Sequence, residues 1–449
     1  MLKLFNTLTK KEEAFTPIKE GHVGLYSCGP TVYNYPHIGN YRAFIFADIL
    51  KRYFEYLGYD VMHVMNITDV DDKTIRDSIT KGKSLLDFTE YYTDEFNKEL
   101  TSLNIKAPTK QPKATDHIKE MVVMTQKLLE DGYAYKGEDG SIYFDIKKFG
   151  KYGKLSGLNL EKIHQNSQSR IKKDEYDKEN AEDFALWKAY DDADGDVYWD
   201  TPLGRGRPGW HIECSAMSTK YLGNHFDVHT GGVDLVFPHH ENEIAQSECA
   251  SGEHFVNYWL HNEHLLIDGK KMSKSLKNDY RIKDLLEKDF SPIDYRYWLL
   301  QASYRTIVNF TWEGLHSSKI ALKKLKNFYL TLVDQGSVSH TYKELFEKAM
   351  DDDLNTGEAL ATVWKLIKDE KVKDSDKKAT LLDFDRVLGL GMKTWKKDEI
   401  PEEVNRLLEE RKKAKENKNF EASDKLRKII EDLGYDVKDT PSGTEIIKI

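Results

Sequence analysis

The sequence predicts an α/β fold: a parallel sheet split by an insertion, followed by a helical region and a small mixed α/β segment. Three observations predict it. A strand, a helix and a second strand follow one another within residues 23–65. Runs of the same kind return at Phe226–Val233, at Trp259–Ile267 and after Ile282. Between the two halves lies a very polar stretch, residues 165–200, with Asp191, Asp192, Asp194 and Asp196. Alternating strands and helices mark a parallel sheet.

The elements follow in order. Val23-Gly24-Leu25-Tyr26-Ser27-Cys28 is an apolar run that ends at Gly29-Pro30, which reads as a buried strand meeting a loop. Ile38, Tyr41, Ile45, Ile49, Phe54 and Leu57 recur at the spacing of an amphipathic helix. Tyr59–Met65 reads as the next strand, and the acidic turn Thr68–Asp72 follows it. From Tyr342 onward the chain is mostly helical, with Lys/Glu-rich faces, and it ends in a short stretch with strand-like Ile446-Ile447. The expected divisions are 1–120 and 204–295 for the two halves of the sheet domain and 121–203 for the insertion. Beyond them lie a linker, 296–340, a helical domain, 341–398, and the C-terminal segment, 399–449.

Composition narrows the class. With 32% charged and 39% hydrophobic residues, the chain reads as an ordinary soluble globular protein. The net charge of −9 argues against a generic polyanion binder, although a local basic face still suffices for nucleic acid. No stretch reaches the length of a membrane span, and no secretory signal is expected at the start. The three cysteines, Cys28, Cys214 and Cys249, are too few and too scattered for a disulfide framework. A reducing, cytoplasmic setting follows.

The most specific element is the loop Asp268–Ser275. Lys270, Lys271, Lys274 and the nearby Lys277 surround a glycine and two serines just after Leu265-Leu266-Ile267. A flexible basic loop at a strand end suits a triphosphate, because lysines make charge-assisted bonds to its oxygens. The order Lys271-Met272-Ser273-Lys274-Ser275 resembles the signature of class I aminoacyl-tRNA synthetases. That class has a second signature near its start, and His37-Ile38-Gly39-Asn40 stands between the first strand and the helix. Gly39 lets a ring approach the backbone closely. His37 lies where helix N-terminal amides help to hold phosphate. The common form ends in His, whereas Asn40 keeps a hydrogen-bond donor but cannot be cationic.

Metal-ligand chemistry is also present. His239 and Glu243, four residues apart in Phe237–Glu243, would project from one face of a helix begun by Pro238. Two thiolates, an imidazole and a carboxylate suit zinc, and Cys28 and Cys214 supply the thiolates. Spacing alone does not choose His239 over His240 or exclude His211. Gly204–Gly209 fits the dinucleotide pattern G-x-G-x-x-G, but Pro208 and two arginines read better as an ordered turn.

Six stretches together resemble cysteinyl-tRNA synthetases. They are Tyr26–Tyr33, Asn66–Lys73, Gly206–Met217, Phe237–Glu243, Lys271–Ser275 and Met350–Thr356. The resemblance runs from Asn6 to Gly443. It implies a Rossmann-like catalytic domain, a stem-contact region over 296–340 and an anticodon-binding helical domain. It implies one zinc ion on Cys28, Cys214, His239 and Glu243. It implies ATP with magnesium on His37, Gly39, Asn40, Lys271 and Lys274, and an amino-acid pocket lined by Gly29, Thr68, Trp210 and Asp234. The partners it implies are L-cysteine, ATP and tRNA(Cys), taken by a monomer. Cys249 has no place in this pattern and is expected to be structural. The basic run Arg411–Lys415, with Arg427 and Lys428, is where RNA or plain solvent would meet the helical end. A related reading is a ligase that passes activated cysteine to a small amine; the long helical end argues against it.

Zinc has a physical rationale here. A plain pocket rejects a near-isostere such as serine by only about a hundredfold. A metal that prefers soft thiolate separates the two by their ionisation, with an upper bound of about 10 kcal/mol.

Overall fold

The structure is a computed structural model in which residues 1–157, 183–273, 276–397, 401–440 and 443–448 are described. The chain divides into two compact units, Met1–Lys393 and Thr394–Ile449. Among the described residues no helix is long and apolar enough to cross a membrane.

The first unit is organised by a four-stranded parallel sheet. Its strands are β1 (His22–Ser27), β2 (Asp60–Met65), β3 (Phe226–Gly232) and β4 (Val256–Asn262), in the spatial order β4-β3-β1-β2. Burial on both faces explains the continuous apolar runs: Val23, Leu25 and Tyr26 are all buried. The helix α1 (Ile38–Tyr56) joins β1 to β2. Most of its circumference is covered, and Gly58, at φ +93°, turns the chain away after it. Helices α2 (Trp210–Leu222) and α3 (Glu241–Ser251) flank β3 in sequence. Strand order reverses between β1 and β3, and crevices at such reversals, beyond the carboxyl ends of the strands, are where α/β sheets bind ligands.

A second, antiparallel sheet is built from Ala134–Lys136, Ile142–Phe144, Phe184–Ala189, Trp199–Thr201 and Gly204–Pro208. The last of these corrects the ordered turn expected at Gly204–Gly209. Arg207 pairs with Lys188 and Gly206 with Ala189. A Cβ on Gly206 would come within 2.1 Å of the Lys188 carbonyl oxygen, so glycine here permits close strand pairing. The polar stretch expected as insertion lies partly outside the described residues.

Helices His340–Asp351, Thr356–Lys368 and Asp374–Leu388 complete the first unit. They dock on α1, where Tyr53 donates to Asp351 at 2.8 Å and Tyr56 to Asp383 at 2.6 Å. The second unit packs helices Glu402–Glu416 and Phe420–Asp432 with a hairpin, Tyr435–Thr440 and Gly443–Lys448. Its core is Val404, Leu407, Ile430, Tyr435 and Val437. Arg411 is buried there, so it does not belong to the exposed basic face that its run suggested; Lys412, Lys413 and Lys428 are exposed.

Candidate metal and nucleotide site

The carboxyl edge of the parallel sheet gathers the four residues expected to hold a metal. Cys28 follows β1 directly. Its position is fixed by Gly29, whose N–H donates to the Asn66 side chain at 2.8 Å. A Cβ on Gly29 would lie 1.6 Å from the Asn66 carbonyl oxygen, so only glycine fits. Cys214 sits on α2 and is fully buried. His239 and Glu243 come from the connection between β3 and α3. The helix expected to start at Pro238 starts instead at Glu241. A wide turn, Val236–His240, precedes it, with Phe237 extended (φ −139°, ψ 133°) and a cis Phe237–Pro238 bond. His239 still meets Glu243 at 3.0 Å.

One donor atom from each of Cys28, Cys214, His239 and Glu243 lies within 4.8 Å of the other three. Bond lengths of about 2.0–2.3 Å around a tetrahedral zinc put ligand atoms about 3.3–3.8 Å apart, so the group fits that ion in chemistry and size. Cys28 and Glu243 also form a second such group with His229 and His240, His240 standing 3.3 Å from the Cys28 sulfur. Among the described residues Cys249 belongs to neither group; burial raises its thiol to about 12.

The electrostatics favour a cation. Burial opposes the Cys214 thiolate, yet a hydrogen bond from Cys28 and the charge of His239 bring it down to about 6. Burial and the Cys214 and Glu243 charges push Cys28 up. Burial alone would lower His239, but Glu243 and Cys214 lift it to about 10. Burial likewise works against the Glu243 carboxylate, and His229 and His239 hold it down to about 2. Around the first group stands a shell of imidazoles. His211 holds the other ring nitrogen of His239 at 2.9 Å, and Trp210 stacks on His239 with centroids 4.1 Å apart. His229 meets Glu243 at 3.0 Å, and His261 meets His240 at 2.7 Å. His229 and His261 carry no signal in the sequence, because only the pairing of β3 with β4 brings them together.

The two signature stretches stand at the start of α1 and after the short strand Lys270–Lys271. His37 precedes α1, and its backbone N–H donates to the Asn40 side chain at 3.0 Å. Asn40 thus closes the first turn of α1. Burial lowers the His37 imidazole, against the pull of Asp279 and Asp234, and its Nδ1 has no hydrogen-bond partner. A Cβ on Gly39 would stand 3.1 Å from the His37 ring and 3.4 Å from Met272, so the two signatures are in contact distance of each other. Lys271 is exposed on the short strand Lys270–Lys271, and its carbonyl accepts from Asn278 at 3.3 Å. Lys274 lies outside the described residues. Thr68 is buried and donates to Glu213 at 2.7 Å. Asp234 is exposed in the turn after β3.

A parallel sheet with this order, with His37–Asn40 between β1 and α1, is the arrangement of a class I aminoacyl-tRNA synthetase. Residues 14–320 match the family model of the class I (C) tRNA synthetase catalytic domain. Residues 345–391 match the DALR domain and 397–446 the cysteinyl-tRNA ligase anticodon binding domain. The cysteine–tRNA ligase of Brachyspira hyodysenteriae is 47% identical over 465 residues, covering 98% of each chain. That of Protochlamydia amoebophila is 44% identical, covering 100% of this chain and 98% of its own. The chain belongs to the cysteinyl-tRNA synthetase family. The fold is shared more widely: Mycobacterium tuberculosis methionyl-tRNA synthetase with methionyl-adenylate superposes with a TM-score of 0.57 at 15% identity, covering 82% of this chain and 90% of that one.

Proposed function

We propose that the chain activates L-cysteine with ATP and transfers it to the 3′ end of tRNA(Cys). The observation that carries this reading is the meeting of Cys28, Cys214, His239 and Glu243 where β1 ends, nine residues before the His37–Asn40 signature in the chain. These four residues would hold one zinc ion, which when bound supplies a soft Lewis-acid position that prefers a thiolate to a hydroxyl. Trp210 walls the cluster, and Gly29, Thr68 and Asp234 line the amino-acid pocket.

The cysteine carboxylate attacks the α-phosphate of ATP in line, and pyrophosphate leaves. A ribose hydroxyl at the end of the RNA then attacks the adenylate. Lys271, Lys274 and the N–H groups at the start of α1 stabilise phosphate charge, with magnesium accompanying the nucleotide. Burial lowers the His37 imidazole and so favours the form that meets phosphate as a hydrogen-bond donor. Asn40 sets the backbone from which His37 projects. No protein nucleophile takes part. The helical region and the second unit receive the RNA. The similarity of residues 397–446 to an anticodon-binding domain supports this acceptor over a small amine. The enzyme works in the cytoplasm as a monomer, divided as the sequence divisions above describe.

The test is amino-acid-dependent pyrophosphate exchange with cysteine and with serine, with metal quantified in the same sample. Exchange with cysteine, about one zinc per chain and negligible exchange with serine are expected. Equal exchange with serine, or active protein without metal, overturns the reading. Charging of RNA transcripts settles the acceptor.

A further inference from the structure

We infer that Cys28, His229, His240 and Glu243 form a second position for a divalent cation of borderline softness, bridged to the first by the Cys28 sulfur and the Glu243 carboxylate. The inference goes beyond the proposed activity and rests on the reading of Cys28, Cys214, His239 and Glu243 as the first position.

Glu243 divides its carboxylate between the two groups. Its Oε1 stands 3.0 Å from His239, and its Oε2 stands 3.0 Å from His229. The Cys28 sulfur is shared as well. It stands 3.3 Å from Nε2 of His240, which is itself 3.9 Å from Glu243. One donor atom from each of the four residues lies within 4.8 Å of the other three, and His229, His240 and Glu243 are fully buried. Around a tetrahedral ion with bonds of about 2.0–2.3 Å, ligand atoms stand about 3.3–3.8 Å apart, so the group suits an ion in size. A thiolate and a carboxylate each have lone pairs for two ions, and ions in two-metal sites lie about 3.5–4 Å apart. One sulfur, two imidazole nitrogens and one oxygen suit zinc or cobalt, whereas magnesium and calcium take oxygen.

The second position has outer contacts of its own. The other ring nitrogen of His240 meets His261 at 2.7 Å, and the other ring nitrogen of His261 meets Thr7 at 2.8 Å. Metal-ligating histidines hold their second N–H in this way, which fixes the ring and turns a lone pair towards the ion. With the bonds running outward from His240 to His261 to Thr7, Nε2 of His240 presents its lone pair to the cluster. His229 is less prepared. Its Nδ1 is buried without a hydrogen-bond partner among the described residues. Its Nε2 binds an ion only when the ring proton sits on that unpartnered nitrogen, and this penalty makes the second position the weaker one. It therefore fills after the first, when metal exceeds one ion per chain. Charge acts in its favour, because two thiolates and a carboxylate around one divalent ion leave a buried excess of negative charge.

The test uses full-length protein produced with cobalt(II), so that the first position is filled, and adds further cobalt(II) while optical and electron paramagnetic resonance spectra are recorded. A second ion should bind at least about tenfold more weakly than the first. The paramagnetic signal of the first should fall as the second binds, because ions that share a thiolate couple magnetically. His229→Gln and His240→Gln should each keep the first ion and lose the second. Binding of one ion only overturns the inference. So does a second ion whose signal simply adds to the first, or one that survives both substitutions. Protein that takes no cobalt at all overturns the first position too, which separates that failure from this one. If the histidine variants also lose the first ion, Cys214→Ala decides, since it breaks the first position and keeps every ligand of the second. It should take one cobalt with a sulfur-to-cobalt charge-transfer band and lose it when His240→Gln is added. A Cys214→Ala protein that binds no cobalt, or binds it without that band, overturns the inference.

Discussion

Replacing Gly29 by alanine attacks the site through its backbone. The added Cβ would stand 1.6 Å from the Asn66 carbonyl oxygen and 2.7 Å from its carbon. An ordinary carbon–oxygen contact is about 3.3 Å, so about 1.7 Å of separation must be found. Asn66 is buried and holds both Gly29 and Thr68, so it cannot give that distance without breaking those bonds. If Gly29 moves instead, Cys28 moves with it. Metal–ligand distances tolerate only about 0.2 Å, several times less than the displacement required. Gly29→Ala should therefore fall from about one zinc per chain to below about a tenth, and lose cysteine-dependent exchange by at least about a hundredfold. Overpacking should also cost about 1–3 kcal/mol of stability. Elemental analysis, exchange kinetics and urea unfolding measure the three effects. Gly150→Ala is the control, because nothing lies within 4 Å of a Cβ there. A Gly29→Ala protein with full metal and normal exchange would refute the placement of Cys28 by Asn66.

Cys214→Ser should lower zinc affinity by more than about a hundredfold in competition with a colorimetric chelator, since a buried thiolate ligand is lost. Asn40→Ala removes the bond to the His37 N–H and should cost about 1 kcal/mol in urea unfolding, with a raised KM for ATP. His63 gives a pH dependence. Burial lowers its imidazole to about 3, while the unfolded group titrates near 6.5. Above about pH 6.5 neither state is protonated there. As pH falls, the unfolded chain takes up the proton first, so stability is lost at about 1.36 kcal/mol per pH unit until about pH 3. His63→Asn should abolish this contribution, removing about 2 kcal/mol of the difference between unfolding at pH 6.5 and pH 5.0.

The sheet was legible where burial and periodicity agree. The apolar run ending at Cys28 is β1, and the recurrence from Ile38 is α1. Gly204–Pro208 was not legible as a strand, because a run of glycine, arginine and proline lacks apolar alternation; its pairing is dictated by a neighbour, Phe184–Ala189, distant in sequence. Arg411 looked like part of a solvated basic face, because periodicity does not reveal what packs against a charge. At the metal cluster the residue types were readable, but the choice among His211, His239 and His240 came from resemblance. The structure shows why spacing could not settle it. All three rings lie in one buried network, and His240 forms a metal-ready group of its own with Cys28, His229 and Glu243. Asn66 was invisible as a residue that shapes the cluster, since its importance lies in its contact with Gly29 across the sheet edge.

The connection from β1 to α1 places the chemistry. It begins with Cys28 at the candidate metal cluster and ends with His37 at the helix N-terminus, so in the proposed reading one loop carries both the sulfur-binding and the phosphate-binding ends of the site. Each end is pinned independently: Cys28 through the fit of Gly29 under Asn66, and His37 through Asn40. A substrate as small as cysteine offers few atoms for recognition, and a pocket that grips them loosely cannot hold its carboxylate in line with ATP. In the proposed reading, rigid anchoring of the two ends converts recognition of the sulfur into alignment of the carboxylate, because only two carbons separate the sulfur from the reacting carboxylate. The hydrogen-bond chain from Gly29 to Glu213 ties the same loop to α2, which carries Cys214. The candidate metal ligands Cys28 and Cys214 therefore share one scaffold with Gly29, Asn66 and Thr68, and a change that loosens one loosens the other.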